Sequence, residues 1–297
     1  MTTHNFRGEN LSPFVTFNTV RKDCIVCGSR KFSLWAKKDF YQTVKCKGCG
    51  FIWMRPFLTE KGLTAYYTSH VSNRLKKAKK MKQRAIQYKQ DVGFLERYAQ
   101  QGKLLDIGCS GGFFLDEFNK KFDKYGTDID PDAVQYAKAH FSFGKNVHCT
   151  DILESTFRPK TFDVVTMRGV IEHVPDPVKV IKKVSQLLKK GGYYYVTATP
   201  NGASFTAEVF REQWALFHPV QHIWHFSPKT LSQVAERFGL RLVAVDFPYL
   251  GTPYEHVHED VKAVAQGIKL VEQGKRKNLK VGPPFWENMM SLVFQKK

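Results

Sequence analysis

From about residue 101 the chain alternates short apolar runs with amphipathic stretches. "KLLDIG", "KYGTDI", "NVHCTD", "FDVVTMR" and "GYYYVTA" read as short strands buried on both faces. Between them, Asp130-Pro131, Asp176-Pro177 and Ser227-Pro228 each set a capping side chain before a proline at the first helical position. Leu231, Val234, Ala235 and Phe238 then recur at helical spacing and form a core face. Strands alternating with helices predict an α/β fold with a doubly wound parallel sheet. Ligands of such sheets bind at the carboxyl ends of the strands, where Asp106, Asp128 and Asp151 fall.

The first strand runs into Gly108-Cys109-Ser110-Gly111-Gly112. This turn is not G-x-G-x-x-G, and no Gly-Lys-Ser/Thr follows, which excludes a phosphate-cradling P-loop. A dinucleotide would set its pyrophosphate at the start of the next helix, close to the carboxylate of Asp106. A cofactor with a cationic head suits that position better. S-adenosylmethionine carries an ammonium and a sulfonium and no phosphate. Asp128, ending the second strand, is placed to take both ribose hydroxyls, with Ile129 beside it, and Asp151-Ile152 to bracket the adenine.

Ahead of this region lie Cys24-x-x-Cys27 and Cys46-x-x-Cys49, with eighteen residues between the pairs. Glycines follow each pair and permit the backbone to turn away from a shared ion. The intervening "SRKFSLWAKKDFYQTVK" alternates as a small hairpin. The pattern predicts a zinc ribbon with Cys24, Cys27, Cys46 and Cys49 as ligands. Four thiolates close the coordination sphere, so this zinc is structural and carries no chemistry.

Composition narrows the partners. Lysine and arginine number 46 against 27 acids, a formal charge of +19 over 297 residues, which calls for an anionic partner. Part of the excess is local: "RLKKAKKMKQRAIQYK", from Arg74 to Lys89, holds eight basic residues and no acid. The N-terminal "MTTHNFRGENLSPF" lacks a signal-peptide pattern and no apolar run is long enough to span a bilayer, so a cytoplasmic protein is expected.

"LLDIGCSGG", "YGTDIDPDAVQYAK", "CTDI" and "FDVVTMRGVIEHVPDP" together resemble the successive motifs of class I S-adenosylmethionine-dependent methyltransferases, over roughly residues 101–247. The resemblance implies a seven-stranded Rossmann-like sheet whose last strand, "MMSLVFQK", is antiparallel. It also implies a cofactor site of Asp106, Gly108, Cys109, Ser110, Gly112, Asp128, Ile129, Asp151 and Ile152. Ser110 stands where the family commonly has glycine. The ribbon and the following "FIWMRPFLTEKGLTAYY" further resemble bacterial sugar, nucleotide-sugar and surface-glycan methyltransferases. The implied domains are a zinc ribbon (1–70), a basic helical linker (71–100) and a methyltransferase domain (101–297) with acceptor-side insertions at about 201–228 and 248–288.

The acceptor is then expected above the sulfonium, beside Glu172 and His173 and beneath the insertion that carries His218, His222 and His225. Related sugar C-methyltransferases have Glu-His-x-x-Tyr-Phe there, whereas this chain has Gln221, His222, His225 and Phe226. That departure favours transfer to oxygen, with His222 as first choice of base, then His173, then His225. Tyr254, Glu255 and His256 of the second insertion are further candidates for reaching the pocket. The expected function is O-methylation of a small, anionic, glycan-related acceptor in polysaccharide biosynthesis. An RNA methyltransferase gripping phosphates with ribbon and basic helix is the alternative, and a catalytically idle partner subunit is a third.

Overall fold

The computed structural model describes residues 18–38, 41–59, 61–63 and 78–297. The N-terminal "MTTHNFRGENLSPF" and the stretch 64–77, with the first basic residues of the expected linker, lie outside them. The first part contributes β1 (Asn18–Thr19), β2 (Phe32–Lys38), β3 (Tyr41–Cys46), β4 (Ile52–Met54) and β5 (Phe57–Leu58). Helix α1 (Ala78–Leu95) leads to β6 (Gly102–Ile107), α2 (Phe113–Glu117), β7 (Phe122–Asp128), α3 (Pro131–His140), β8 (Val147–Cys149) and β9 (Phe162–Arg168). Then come α4 (Pro177–Leu187), β10 (Leu188–Pro200), α5 (Phe205–Phe210), β11 (Trp224–His225), α6 (Pro228–Glu236), β12 (Leu240–Asp246), α7 (Val257–Glu272) and β13 (Met289–Lys296).

Seven strands form one sheet in the order β12-β13-β10-β9-β6-β7-β8. β6 to β10 run parallel, while β13 inserts antiparallel between β10 and β12, as expected of "MMSLVFQK". Strand residues alternate between two cores. Leu104, Val164, Tyr195 and Val293 face the α1 and α3 side, where Tyr88, Val92, Leu95, Val134 and Ala137 cover them. Leu105, Val165, Tyr194 and Leu292 face the other side, against Val180, Ile181, Val184, Leu231, Val234 and Ala235 of α4 and α6. Both faces of the central strands are buried, so β6, β9 and the middle of β10 read as apolar runs, while β7 and β12 keep charged, partly exposed positions; each buried aliphatic contributes about 1.5–3 kcal/mol. The predicted caps form: Asp130 accepts from the amides of Asp132 and Ala133, Asp176 from Lys179, and Ser227 makes a capping box with Thr230.

The expected linker helix is anchored to the sheet. The Asp91 carboxylate on α1 accepts from Arg168 Nε at 2.8 Å and from Thr197 Oγ1 at 2.8 Å, and the Arg168 guanidinium lies over the Tyr88 ring. Its C-terminal half therefore forms part of the sheet's cover.

The cysteine-bearing segment is fused to the rest by a second sheet, ordered β11-β4-β3-β2. Three of its strands come from residues 32–54, but β11 lies within the stretch 201–228 and pairs Trp224 with Trp53 and His225 with Ile52. Met54 N donates to Ile223 O at 2.8 Å, and Arg237 on the α6 side donates to the carbonyls of Ile25 and Val26. Phe51, Trp53, Trp224 and Phe226 stack within this junction and are almost fully buried. The cysteine-bearing segment and residues 214–226 thus share one hydrophobic core.

Candidate functional site

Immediately after β6 the chain turns through three left-handed residues: Gly108 (φ 72°), Ser110 (φ 48°) and Gly112 (φ 86°). A Cβ on Gly108 would come within 2.6 Å of the Val170 side chain, so only glycine lets the loop after β9 lie this close to the turn. Ser110 does adopt the conformation for which the family commonly uses glycine, and its amide donates to Asp128 Oδ2 at 2.7 Å. The Cys109 side chain is buried with its sulfur close under Gly126, so only its backbone is available to a ligand. Burial pushes that thiol well above its ordinary value.

The three acids lie at the strand tips and differ in setting. Asp106 is buried and accepts from Thr166 Oγ1 at 2.7 Å; burial lifts its carboxyl to about 7, against the opposing pull of Thr166 and Arg168. Asp128 accepts one backbone amide on each oxygen, Ser110 N on Oδ2 and Asp130 N on Oδ1 (2.9 Å), and burial raises it as well. Asp151 Oδ1 accepts from Leu153 N at 2.7 Å. Ile129 is 49% exposed beside Asp128, whereas Ile152 is buried in the core. Leu153, 40% exposed, is the apolar side chain that the Asp151 turn presents outward; nothing in the sequence pattern marked it over Ile152.

On the acceptor side, Glu172, His173 and His222 converge, with ligand atoms all within 4.8 Å of one another. Glu172 is buried; its Oε2 accepts from Thr199 Oγ1 at 3.2 Å and its Oε1 lies 3.6 Å from His173 Nε2. Burial raises this carboxyl to about 8. The Glu172 carbonyl accepts from the amides of Ile223 (2.9 Å) and Trp224 (3.3 Å), which ties the insertion to the loop after β9. His173 Nδ1 is 2.7 Å from Gln221 O, and His222 Nδ1 is 2.8 Å from Leu216 O. A carbonyl only accepts, so both Nδ1 atoms carry a proton, which leaves Nε2 as the lone-pair position of each ring in its neutral form.

The third histidine stands apart. His225 is buried among Trp35, Trp214 and Phe217, and neither ring nitrogen makes a hydrogen bond among the described residues. Burial, with His218 adding to it, lowers it to about 3. It is part of the ribbon–insertion packing. His222 is also lowered well below its ordinary value, by burial first and then by His173, His218 and His225. Of the second-insertion candidates, Tyr254 is exposed and Glu255 turns back to accept from Gly251 N at 2.6 Å.

The four cysteines also converge. Cys24 and Cys49 sulfurs are 3.6 Å apart, Cys27 and Cys46 sulfurs 3.5 Å, and Gly48 N points at Cys46 Sγ at 3.3 Å. Zn–S bonds of about 2.3 Å at tetrahedral angles place sulfurs about 3.8 Å apart, so these residues fit a tetrathiolate ion.

Residues 74–245 match the family model described as "Methyltransferase domain", and the chain belongs to that family. Curated relatives carry the name "Ubiquinone biosynthesis O-methyltransferase". That of Coxiella burnetii (strain Dugway 5J108-111) is 29% identical over 153 residues, covering 48% of this chain and 64% of the relative. That of Idiomarina loihiensis is 26% identical over 168 residues, 52% of this chain and 69% of the relative. Among solved structures, a chain from the complex between the Haloferax volcanii Trm112 methyltransferase activator and a methyltransferase superposes with a TM-score of 0.56 at 16% identity, over 78% of this chain and 96% of that one. A methyltransferase from Bacillus halodurans gives 0.51 at 16% identity, over 69% and 98%. These structures share the fold.

Proposed function

We propose that the chain transfers the methyl group of S-adenosylmethionine to an oxygen acceptor at the Glu172–His173–His222 cluster. The observation that carries this is the contact of Val170 with Gly108: it sets the cluster one turn away from the cofactor loop. Asp128 takes the ribose, Ile129 and Leu153 flank the adenine, and the Asp151 carboxylate accepts from its amino group. Ile152 contributes only its backbone. Asp106 stabilises the cationic head through the charge that the cofactor draws out of a buried carboxyl.

In-line attack forms the oxygen–methyl bond as the sulfonium–methyl bond breaks, and the acceptor's proton is taken up within the cluster. Burial alters the expected ranking of bases. His225 serves packing, His222 lines the site from the insertion, and His173, whose side chain is 19% exposed beside Glu172, has the best access to an acceptor. Two acceptor classes follow from different supports. The ribbon's resemblance favours a glycan-related acceptor, and the +19 charge suits an anionic one. The relatives' name favours an acceptor of ubiquinone biosynthesis. Transfer of radiolabelled methyl to nucleotide sugars and to ubiquinone precursors, run in parallel, tests both. Product labelled at oxygen supports the proposal; label confined to nitrogen or carbon, with purified acceptor of either class, overturns it.

A further inference from the structure

We infer that Glu172, His173 and His222 form a binding site for a divalent transition-metal cation, separate from the four-cysteine site. The inference rests on the reading that the acceptor meets the methyl at this cluster, and it changes what the two imidazoles do there.

Four observations carry it. Two histidines and one carboxylate, the donor set of the facial-triad sites of redox-active and hydrolytic metals alike, lie with all ligand atoms within 4.8 Å. Bonds of about 2.0–2.2 Å put adjacent ligand atoms roughly 3.0–3.5 Å apart, so Glu172 and His173, at 3.6 Å, already stand at ligand spacing. Roughly an ångström of side-chain movement brings in His222.

Each ligand also has the support that metal ligands need. Both Nδ1 protons are spent on main-chain carbonyls, Gln221 O for His173 and Leu216 O for His222, which fixes the tautomer and turns each Nε2 lone pair inward. The second oxygen of Glu172 is held by Thr199. The two segments are cross-linked before any ion arrives, because Ile223 and Trp224 donate to the Glu172 carbonyl.

The cluster also holds a fully buried carboxyl, with an imidazole at 3.6 Å and Arg168 as the further charge acting on it. Ionising a carboxyl there without a cation costs several kcal/mol, and a divalent ion would offset that cost directly. Finally, three protein ligands leave coordination positions open, and His173 keeps part of its surface outward, so an acceptor oxygen can complete the sphere. Two imidazoles beside one carboxylate suit iron, nickel or zinc over calcium or magnesium, and Mn²⁺, bound more weakly by such a set, serves as the spectroscopic probe. With both Nε2 lone pairs bound, the imidazoles act as ligands; the acceptor's proton then passes to water.

The test uses the full, untagged chain with zinc retained at the cysteines, titrated with Mn²⁺ and followed by loss of the free-ion electron paramagnetic resonance signal. The expected result is one Mn²⁺ per chain with unchanged zinc content, and nitrogen couplings from two imidazoles in the pulsed spectrum of the unaltered protein. Glu172→Gln and His222→Ala should each weaken Mn²⁺ at least tenfold, while His218→Ala, whose ring lies beside His222 outside the ligand set, should stay within about twofold. Mn²⁺ that remains free, binding without imidazole couplings, or equal binding by all three variants overturns the inference. Calorimetry with S-adenosylmethionine on the same samples separates the two readings. Cation binding without cofactor binding would end the methyl-transfer reading and leave the metal site standing; cofactor binding without the cation would do the reverse.

Discussion

Removing the Asp128 carboxylate tests the cofactor reading at its firmest point. Each Asp128 oxygen already accepts one backbone amide, from Ser110 and from Asp130. A carboxylate has about four acceptor positions, so one remains on each oxygen, side by side, for the two hydroxyls of a ribose. Asp128→Ala deletes both of these charge-assisted bonds. A hydrogen bond to a charged group is worth about 1.5–3 kcal/mol net, and with water partly replacing the carboxylate in the space left a loss of about 2–4 kcal/mol is expected for the pair, or roughly 30- to 1000-fold in Kd. A second effect adds to it: the Ser110 amide loses its acceptor while Ser110 stays left-handed, which loosens the turn. Calorimetry should show the same loss for S-adenosylmethionine and S-adenosylhomocysteine, because they share the ribose. Asp128→Asn, which keeps one acceptor but no charge, should fall between. Binding by Asp128→Ala within threefold of the unaltered protein would refute the ribose contact, and preferential binding of NAD would refute the whole reading of the turn.

Other expectations are more compact. Purified protein should contain about one zinc per chain; Cys46→Ser should release it, and because the ribbon sheet includes β11, turnover should fall further than cofactor affinity does. His173→Ala, which removes the imidazole with the best access to an acceptor, should lower turnover about 10²–10⁴-fold at nearly constant cofactor affinity, and near-normal turnover would remove His173 as the base. Asp106, raised to about 7 by burial against an ordinary value near 3.9, binds more protons folded than unfolded between those values. Its contribution to stability is therefore full below about pH 4 and lost as pH rises through about 7, and Asp106→Asn should flatten that part of the ligand-free melting profile. RNA binding driven by the basic surface should be weak and vanish near physiological salt; tight binding that survives there would promote an RNA acceptor.

Sequence pattern alone carried the central sheet. The strands around Asp106 and Arg168 are buried on both faces, so their apolar runs are local and continuous, and the helices starting at Pro131, Pro177 and Pro228 carry their own caps. The cysteine knuckles and the left-handed turn were equally local: two-residue spacing and glycine placement need no partner from elsewhere in the chain. The acceptor side was not legible in this way. That Val170 lies on Gly108, that Glu172 is tied through its carbonyl to the segment bearing His222, and that His225 packs against Trp35 are contacts between residues about 50 to 190 positions apart. A histidine reads the same in sequence whether it lines a site or fills a core. Only the tertiary structure separates the two: His222 sits just before β11 with its ring on Leu216 O, beside Glu172 and His173, whereas His225 lies in β11 opposite Ile52 and packs on Trp35.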